Sequence, residues 1–212
     1  MTTQRNLLFL LCITLFGCDV NDSSFIYDPA DPRLPQYSEE GANTAGAIVD
    51  GSAWKSRKVF NYSLNGYYNT SGDIRINYFN PDSTFGTGTL LIFEQGVLDR
   101  DGAEITLSVG FFLNQTLRSP DDLAELEGRE ISLDGDLNYG QVFINSQYPR
   151  VDSLNRGEGR LFIREVGIND SNDIYIAGTF GFELPPESEI RQVFSGRFDY
   201  EVQDDNFFEL PQ

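Results

Sequence analysis

Alternation of apolar and polar residues is the feature that most limits what this chain can fold into. It runs through three segments, 105–113, 174–184 and 190–202. An alternation with a period of two places one face of a β-strand in a core and the other face in water. The three segments therefore predict half-buried β-strands, not amphipathic helices. The apolar positions are Ile105, Leu107, Val109, Phe111 and Leu113 in the first segment, Ile174, Ile176, Phe180, Phe182 and Leu184 in the second, and Ile190, Phe194, Phe198, Tyr200 and Val202 in the third.

The other strand candidates and the turns between them predict the fold class. Dipeptides that tolerate positive φ, as tight hairpin turns require, separate the apolar stretches at short intervals. Many short strands with such turns predict one all-β domain over residues 44–212, either an antiparallel β-sandwich or a barrel-like sheet. The weaker strand candidates are 46–50, 54–62, 73–79, 88–94, 130–133, 140–146 and 159–167, and the turn dipeptides are Asn65-Gly66, Ser71-Gly72, Asp101-Gly102 and Asp134-Gly135.

One short helix is predicted within this domain. Ser119 can cap it, and Pro120 suits its first position. Leu123 and Leu126 give it an apolar edge, and Gly128 can end it. At about two turns, such a helix can cover part of a sheet but cannot form a second layer.

The first 17 residues have the pattern of a signal peptide. A ten-residue apolar run, Leu7–Phe16, follows the basic Arg5, and a helix that crosses a bilayer needs about 20 apolar residues. The run ends at Gly17-Cys18, which resembles the lipobox of bacterial lipoproteins. The resemblance implies cleavage before Cys18 and a lipid on that cysteine. We therefore expect a chain anchored in the bacterial cell envelope, at the outer membrane, with a flexible tether over residues 18–43; which face of the membrane it occupies stays open.

Charge and composition exclude several classes of function. Of the 15 basic residues only Arg5 precedes position 18, so cleavage there leaves a net charge of −19. Nucleic acids and anionic membrane surfaces are disfavoured partners for such a domain. The chain has no histidine, and its two cysteines, Cys12 and Cys18, lie in the export segment and at the anchor. We therefore expect no cofactor, no histidine- or thiolate-ligated metal, and no Ser-His-Asp or Cys-His catalysis.

Two short stretches resemble a known family. Residues 41–54 read GANTAGAIVDGSAW, with an Asn-Thr-x-Gly stretch before a strand, a turn and a tryptophan. Near the end, Gly-Thr-Phe-x-Phe at 178–182 and Gly-Arg-Phe-Asp at 196–199 form a second signature. Together with the lipobox, these resemble uncharacterised envelope lipoproteins of the Bacteroidota. The resemblance covers the first strands and the last hairpin, and it implies no activity and no functional residues.

Acidic clusters at turns are the candidate metal sites. Asp99, Asp101 and Glu104 form one cluster, and Asp134 and Asp136 form another. Calcium takes six to eight oxygen ligands, and such turns can offer some of them. Neither cluster matches the twelve-residue EF-hand loop. The competing interpretation is that Asp, Asn and Gly are used here because they make good turns.

Three functional hypotheses remain open. The leading one is a non-enzymatic envelope protein whose β domain binds a glycan or an envelope protein, or supports an assembly. The second is a carbohydrate-binding module of a glycan-uptake system, built on exposed members of the aromatic pairs Tyr67-Tyr68, Tyr78-Phe79 and Phe111-Phe112. The third is a hydrolase that uses paired carboxylates. No catalytic residue can be selected among 33 acids; Asp199, on the predicted polar face of the last long strand, is expected to be solvated. The net charge predicts a neutral or cationic ligand.

Overall fold

The computed structural model describes most of the chain from residue 28 onwards, and within these ranges the protein is predominantly all-β, which confirms the predicted fold class. The described ranges are 28–56, 59–63, 66–70, 74–79, 87–100, 102–144 and 155–210. The strands are β1 (Thr44–Val49), β2 (Ser52–Ser56), β3 (Val59–Ser63), β4 (Gly66–Thr70), β5 (Ile74–Phe79), β6 (Gly88–Arg100), β7 (Ala103–Leu113), β8 (Arg129–Asp134), β9 (Tyr139–Ile144), β10 (Glu158–Ile168), β11 (Ile174–Glu183), β12 (Gln192–Val202) and β13 (Phe207–Leu210).

Eleven of these strands form one large sheet. Nine follow one another in the order β13-β5-β6-β2-β1-β12-β11-β10-β8, while β7 pairs with β6 and with β9. The sheet branches at β6 because residues 88–93 pair with β5 and residues 96–98 pair with β2. The pairs are antiparallel except β13–β5, and β3 and β4 form a separate hairpin. The sheet curls into a half-barrel, so that β9 reaches the start of β10 through a single bridge between Gly140 and Gly157.

The inner face of the curled sheet holds the hydrophobic core. The apolar positions Leu107, Val109, Phe111 and Leu113 of β7 are buried as predicted, but Ser108 and Gly110 on its other face are buried too and do not face water. In β11 the apolar positions from Ile176 onwards are buried as predicted. Aromatic rings fill the middle of the core at typical packing distances, with 4.7 Å between the ring centroids of Phe93 and Phe198 and 5.1 Å between those of Phe111 and Phe180. The rings in this cluster belong to Phe93, Phe111, Phe180, Phe182, Phe198 and Tyr200.

A β-bulge changes the alternation in β12. Phe180 pairs with Gly196, but Phe182 pairs with Val193, so one residue of β11 lies opposite two residues of β12. Ser195 has a φ of +52°. The extra residue reverses which face the preceding side chains point to. The prediction that Phe194 faces the core is therefore wrong: Val193 is buried, and Phe194 is 44% exposed.

Residues 28–43, which we call the strap, lie against the outer face of the sheet. Leu34 is completely buried, and Pro35 occupies the space beside Gly46, where a Cβ atom would lie 2.3 Å from the proline Cδ. The sequence predicts that this stretch is part of a flexible tether. The structure differs because the strap packs against β1 and forms hydrogen bonds with β12. Residues 18–27 of the predicted tether lie outside the described residues.

The predicted helix is confirmed as α1 (Pro120–Leu123), which continues as a 3-10 turn over Ala124–Leu126. The Oδ2 atom of Asp122 accepts hydrogen bonds from the backbone N–H groups of Arg118 and Ser119, at 2.7 and 3.2 Å. Leu123 and Leu126 are buried in the main core. Within the described residues, no helix has the length and apolar character needed to cross a membrane.

Candidate functional site

The outer face of β10, β11 and β12 carries an open groove of about 610 Å³, which we call the outer groove. Leu161 and Ile163 of β10 point into the core. Because successive side chains of a strand point to opposite faces, the neighbours Arg160, Phe162 and Arg164 line the groove. The strap forms the opposite wall through Tyr37.

The floor of the groove is bare at Gly181. This residue lies opposite the bulge of β12, and a Cβ atom placed on it would approach nothing more closely than the Val193 carbonyl oxygen, at 3.4 Å. A second depression of about 440 Å³ shares Gly181 and extends to the exposed Phe194. The glycine and the bulge together therefore leave a side-chain-free floor between two lined depressions.

Three arginines line the outer groove, although the chain as a whole has a net charge of −18. Arg160 and Arg164 lie at the surface, with side chains 75% and 58% exposed, and Arg197 is 17% exposed. Each has an acidic partner. The ion pairs join Arg160 Nη1 to Glu130 Oε1 at 3.0 Å, Arg164 Nε to Glu39 Oε1 at 2.8 Å, and Arg197 Nη1 to Asp28 Oδ2. Exposed ion pairs such as the first two contribute little to stability.

Two aromatic side chains accompany the arginines. Phe162 lies half-buried between Arg160 and Arg164 on β10. The guanidinium carbon of Arg164 lies 5.4 Å from the ring centroid of Tyr37, and the Tyr37 hydroxyl donates a hydrogen bond of 3.0 Å to Glu39 Oε1. Burial, and next the bond to Glu39, raise the pKa of Tyr37, so that its hydroxyl stays protonated at neutral pH. The groove therefore combines guanidinium, aromatic and hydroxyl groups, a set that can bind polar ligands.

Beside the groove, Asp199 is buried under the strap, and the prediction that it is solvated is wrong. The residue is only 1% exposed to solvent. The carboxylate accepts bonds from Ser38 Oγ at 2.5 Å, from Gly41 N at 2.8 Å, and from the N–H groups of Glu40 and Ala42 at 3.1 Å each. The polar face of β12 is thus covered by backbone donors of the strap. Asp199 fixes the strap to the sheet.

A second polar contact joins the end of the strap to β12. Asn43 has a φ of +54°; its Oδ1 accepts a 3.0 Å bond from Glu201 N, and its Nδ2 donates to Glu201 Oε2 at 3.2 Å. Gly46, three residues later, leaves room for Pro35. The Asn-Thr-x-Gly stretch is therefore the place where the strap enters β1.

An ion pair holds the first residue of the strap against the sheet. Arg197 Nη1 donates to Asp28 Oδ2 and also to the Pro35 carbonyl oxygen at 3.2 Å. The hydrogen bond from Arg197 is the main cause that lowers the pKa of Asp28. Asp28 is therefore ionised at neutral pH, where it holds Arg197 at the edge of the groove.

The candidate calcium ligands take part in turns and strand pairs. Asp99 lies opposite Glu104 in the β6–β7 ladder, and Asp101 between them lies outside the described residues. Asp134 Oδ1 accepts bonds of 2.9, 2.8 and 3.1 Å from the N–H groups at positions 136, 137 and 138, and these backbone bonds lower its pKa. Asp136 contributes its backbone N–H to that turn. No group of three or more histidine, cysteine or acidic residues suited to a metal ion occurs among the described residues. Calcium binding stays a prediction.

Among the described members of the predicted aromatic pairs, Phe79, Phe111 and Phe112 are used for packing. Phe111 lies in the core, and Phe112 stacks on Tyr139 at 4.9 Å. Tyr67 and Tyr68 lie in β4, of which only the backbone is described, and Cys18 lies outside the described residues. The sequence did not predict the groove aromatics Tyr37 and Phe162. Phe162 could have been noticed, because it is apolar between Leu161 and Ile163, at a position where alternation predicts a polar residue.

The chain matches no protein-family model, no curated protein and no solved structure.

Proposed function

We propose that the protein is an outer-membrane lipoprotein, anchored through Cys18, whose β domain binds a ligand in the outer groove without catalysing a reaction. The observation that carries this proposal is the bare floor at Gly181 beside a row of guanidinium and aromatic groups. These groups stand on hydrogen-bonded strands, and rigid elements hold binding groups more accurately than loops do. A volume of about 610 Å³ falls within the range of ligand sites.

The partners of the nearby carboxylates favour binding over catalysis. Glu130 and Glu39 are paired with Arg160 and Arg164, and Asp199 accepts four hydrogen bonds from the strap. A general acid or base needs a proton that can move at the working pH. Carboxylates held in ion pairs or saturated with donors suit a fixed binding surface better. The hydrolase hypothesis has no comparable observation in its favour.

A carbohydrate-binding role in glycan uptake is the second candidate, and Tyr37 and Phe162 favour it. Aromatic faces stack on sugar rings, while neighbouring guanidinium and hydroxyl groups hydrogen-bond to sugar hydroxyls. Thr179 on the exposed face of β11 adds a further hydroxyl to the groove. An oligosaccharide therefore suits the lining better than a wholly apolar ligand does.

Filling the floor of the groove tests its role. We expect Gly181→Trp to weaken glycan binding at least about tenfold, since the indole occupies the floor, whereas Gly181→Ala keeps wild-type binding. Both variants should fold, because a Cβ at this position makes only ordinary van der Waals contacts, the nearest at 3.4 Å, and a larger side chain extends from it into the open groove. The measurement is a glycan array on the full-length protein in detergent micelles, followed by titration calorimetry with each positive glycan. Equal affinities of the tryptophan variant and the wild type, or an array without a positive glycan, contradict the proposed groove.

Replacement of the lipid-bearing cysteine tests the anchor. We expect Cys18→Ser to block processing, so that the protein stays at precursor size and no mature lipidated form appears. Cys12→Ser is the matched control and should be processed like the wild type, because Cys12 lies in the segment that is removed. Detergent phase partition and intact mass report both properties. A Cys18→Ser protein that still fractionates with membranes at mature size contradicts the lipoprotein proposal.

A further inference from the structure

We infer that the outer groove binds an oligosaccharide that carries a carboxylate, and that Arg160 and Arg164 of β10 hold this carboxylate. The inference rests on the proposed function, since it names the class of ligand for the same groove. It differs from the expectation of a neutral or cationic ligand, which follows from net charge alone. The reason for the difference is local: three arginines line the groove, and although each is paired with an acid, Arg160 and Arg164 are exposed and contact that acid through one nitrogen each.

The spacing along β10 matches an extended ligand. Arg160, Phe162 and Arg164 line the groove, with Arg164 at a register shift of the β10–β11 ladder. Four residues of a regular strand span about 13 Å. An aromatic ring thus lies between two cationic groups, in a row long enough for about two or three sugar units. A sugar ring over Phe162 places its substituents within reach of the arginine on either side.

The two exposed arginines have donors left for a ligand. In the described part of the chain, Arg160 contacts a carboxylate through Nη1, and Arg164 through Nε. A guanidinium has five N–H donors in a fork that fits a carboxylate with two parallel bonds. Because both members of the Arg160–Glu130 pair are exposed, a ligand carboxylate can join or replace Glu130 at little cost. Glu39 also accepts the bond from Tyr37 and stays in place, so the ligand contacts Arg164 through its Nη groups. The same pairs show that this face accepts a carboxylate at 2.8–3.0 Å.

Arg197 has a different role from the other two. It is largely covered, and it is already bound to Asp28 and to the Pro35 carbonyl oxygen of the strap. It therefore holds the strap at the groove edge, and its charge is balanced by Asp28. Arg160 and Arg164 remain as the residues that contact the ligand.

The acidic remainder of the domain limits how much charge the ligand can carry. A long polyanion is repelled by the many surface carboxylates, whereas the few carboxylates of a short oligosaccharide held close to two arginines interact mainly with them, since salt screens exposed charges beyond about 10 Å. A saccharide with one carboxylate per unit, and neutral hydroxyls elsewhere, fits these two conditions.

The test compares acidic oligosaccharides with their own neutral derivatives. The probes are trimers of galacturonate, glucuronate and mannuronate, each with its methyl ester, titrated into the full-length protein in detergent micelles. We expect at least one acid to bind about tenfold more tightly than its ester, and to lose this advantage in Arg160→Gln and in Arg164→Gln. Arg118→Gln removes the same charge from an exposed site outside the groove and should change nothing.

The outcomes separate this inference from the proposed function. If acids and esters bind alike but Gly181→Trp abolishes binding, the groove remains the binding surface and the carboxylate inference is overturned. If an oligoglutamate peptide of equal charge binds as tightly as the best acid, the saccharide class is overturned. If no probe binds, the carboxylate inference is overturned, and the glycan array decides the proposed function. If a probe binds equally well to Gly181→Trp, both proposals are wrong.

Discussion

Asp199→Ala is expected to release the strap and to lower the free energy of unfolding by about 3–4 kcal/mol. The carboxylate accepts four hydrogen bonds, from Ser38 Oγ and three successive backbone N–H groups. Removal of a buried acceptor leaves its donors without partners, and each such donor costs about 1–3 kcal/mol unless water reaches it. Urea denaturation followed by fluorescence measures the loss, and limited proteolysis should cut within residues 28–43.

Two control variants separate the hydrogen bonds from the general effect of losing an acid. Asp199→Asn keeps one acceptor oxygen and should lie between the wild type and Asp199→Ala. Asp170→Ala removes an exposed acid from a turn and should change the free energy of unfolding by less than about 0.5 kcal/mol. Wild-type stability together with an uncut strap in Asp199→Ala contradicts the role that we assign to this residue.

Trp54→Ala is expected to cost about 3–5 kcal/mol of unfolding free energy. The indole is completely buried, and its Nε1 donates a 2.8 Å hydrogen bond to the Leu107 carbonyl oxygen. It also lies directly over Gly96, where a Cβ atom would approach Nε1 to 2.0 Å. The tryptophan therefore ties β2 to β6 and β7 near the branch of the sheet. Chemical denaturation at constant pH measures the change, and Trp54→Phe separates loss of the hydrogen bond from loss of the ring.

The contact with Gly96 makes this prediction testable as a coupling. Gly96→Ala in the wild type should cost about 1–3 kcal/mol, because its methyl group collides with the indole. In a Trp54→Ala background the same substitution should cost almost nothing, since the methyl group enters the vacated space. Additive losses in the double variant show that the two residues do not share this space.

Alternation was enough to find most strands, because it depends only on which residues are neighbours along one strand. It correctly assigned β7 and most of β11, where each apolar position from Ile176 onwards faces the core. It failed at Phe194, because a bulge depends on the pairing partner, Gly181, and not on the strand itself. It failed at Asp199 for a related reason: the residues that bury it come from positions 38–42, about 160 residues earlier in the sequence.

The outer groove could be predicted only in part. Phe162 interrupts the alternation, and this departure marks an apolar side chain on a solvent face. Its position beside Tyr37 depends on the strap crossing the sheet, which no local pattern reveals. Composition suggested that the Pro- and Asp-rich strap is solvated, yet its backbone donors find an acceptor in Asp199. Tertiary hydrogen bonds thus outweighed the local preference.

The docked strap also determines how far the domain can stand from the bilayer. If the lipid is on Cys18, only the nine residues 19–27 separate the anchor from Asp28, where the chain meets Arg197 at the edge of the groove. A chain of that length spans at most about 32 Å even when fully extended. A tether that ran free to residue 43 could reach more than twice as far. With that anchor, the groove edge at Asp28 lies within about 32 Å of the lipid headgroups, so that a ligand would meet it only near the membrane surface.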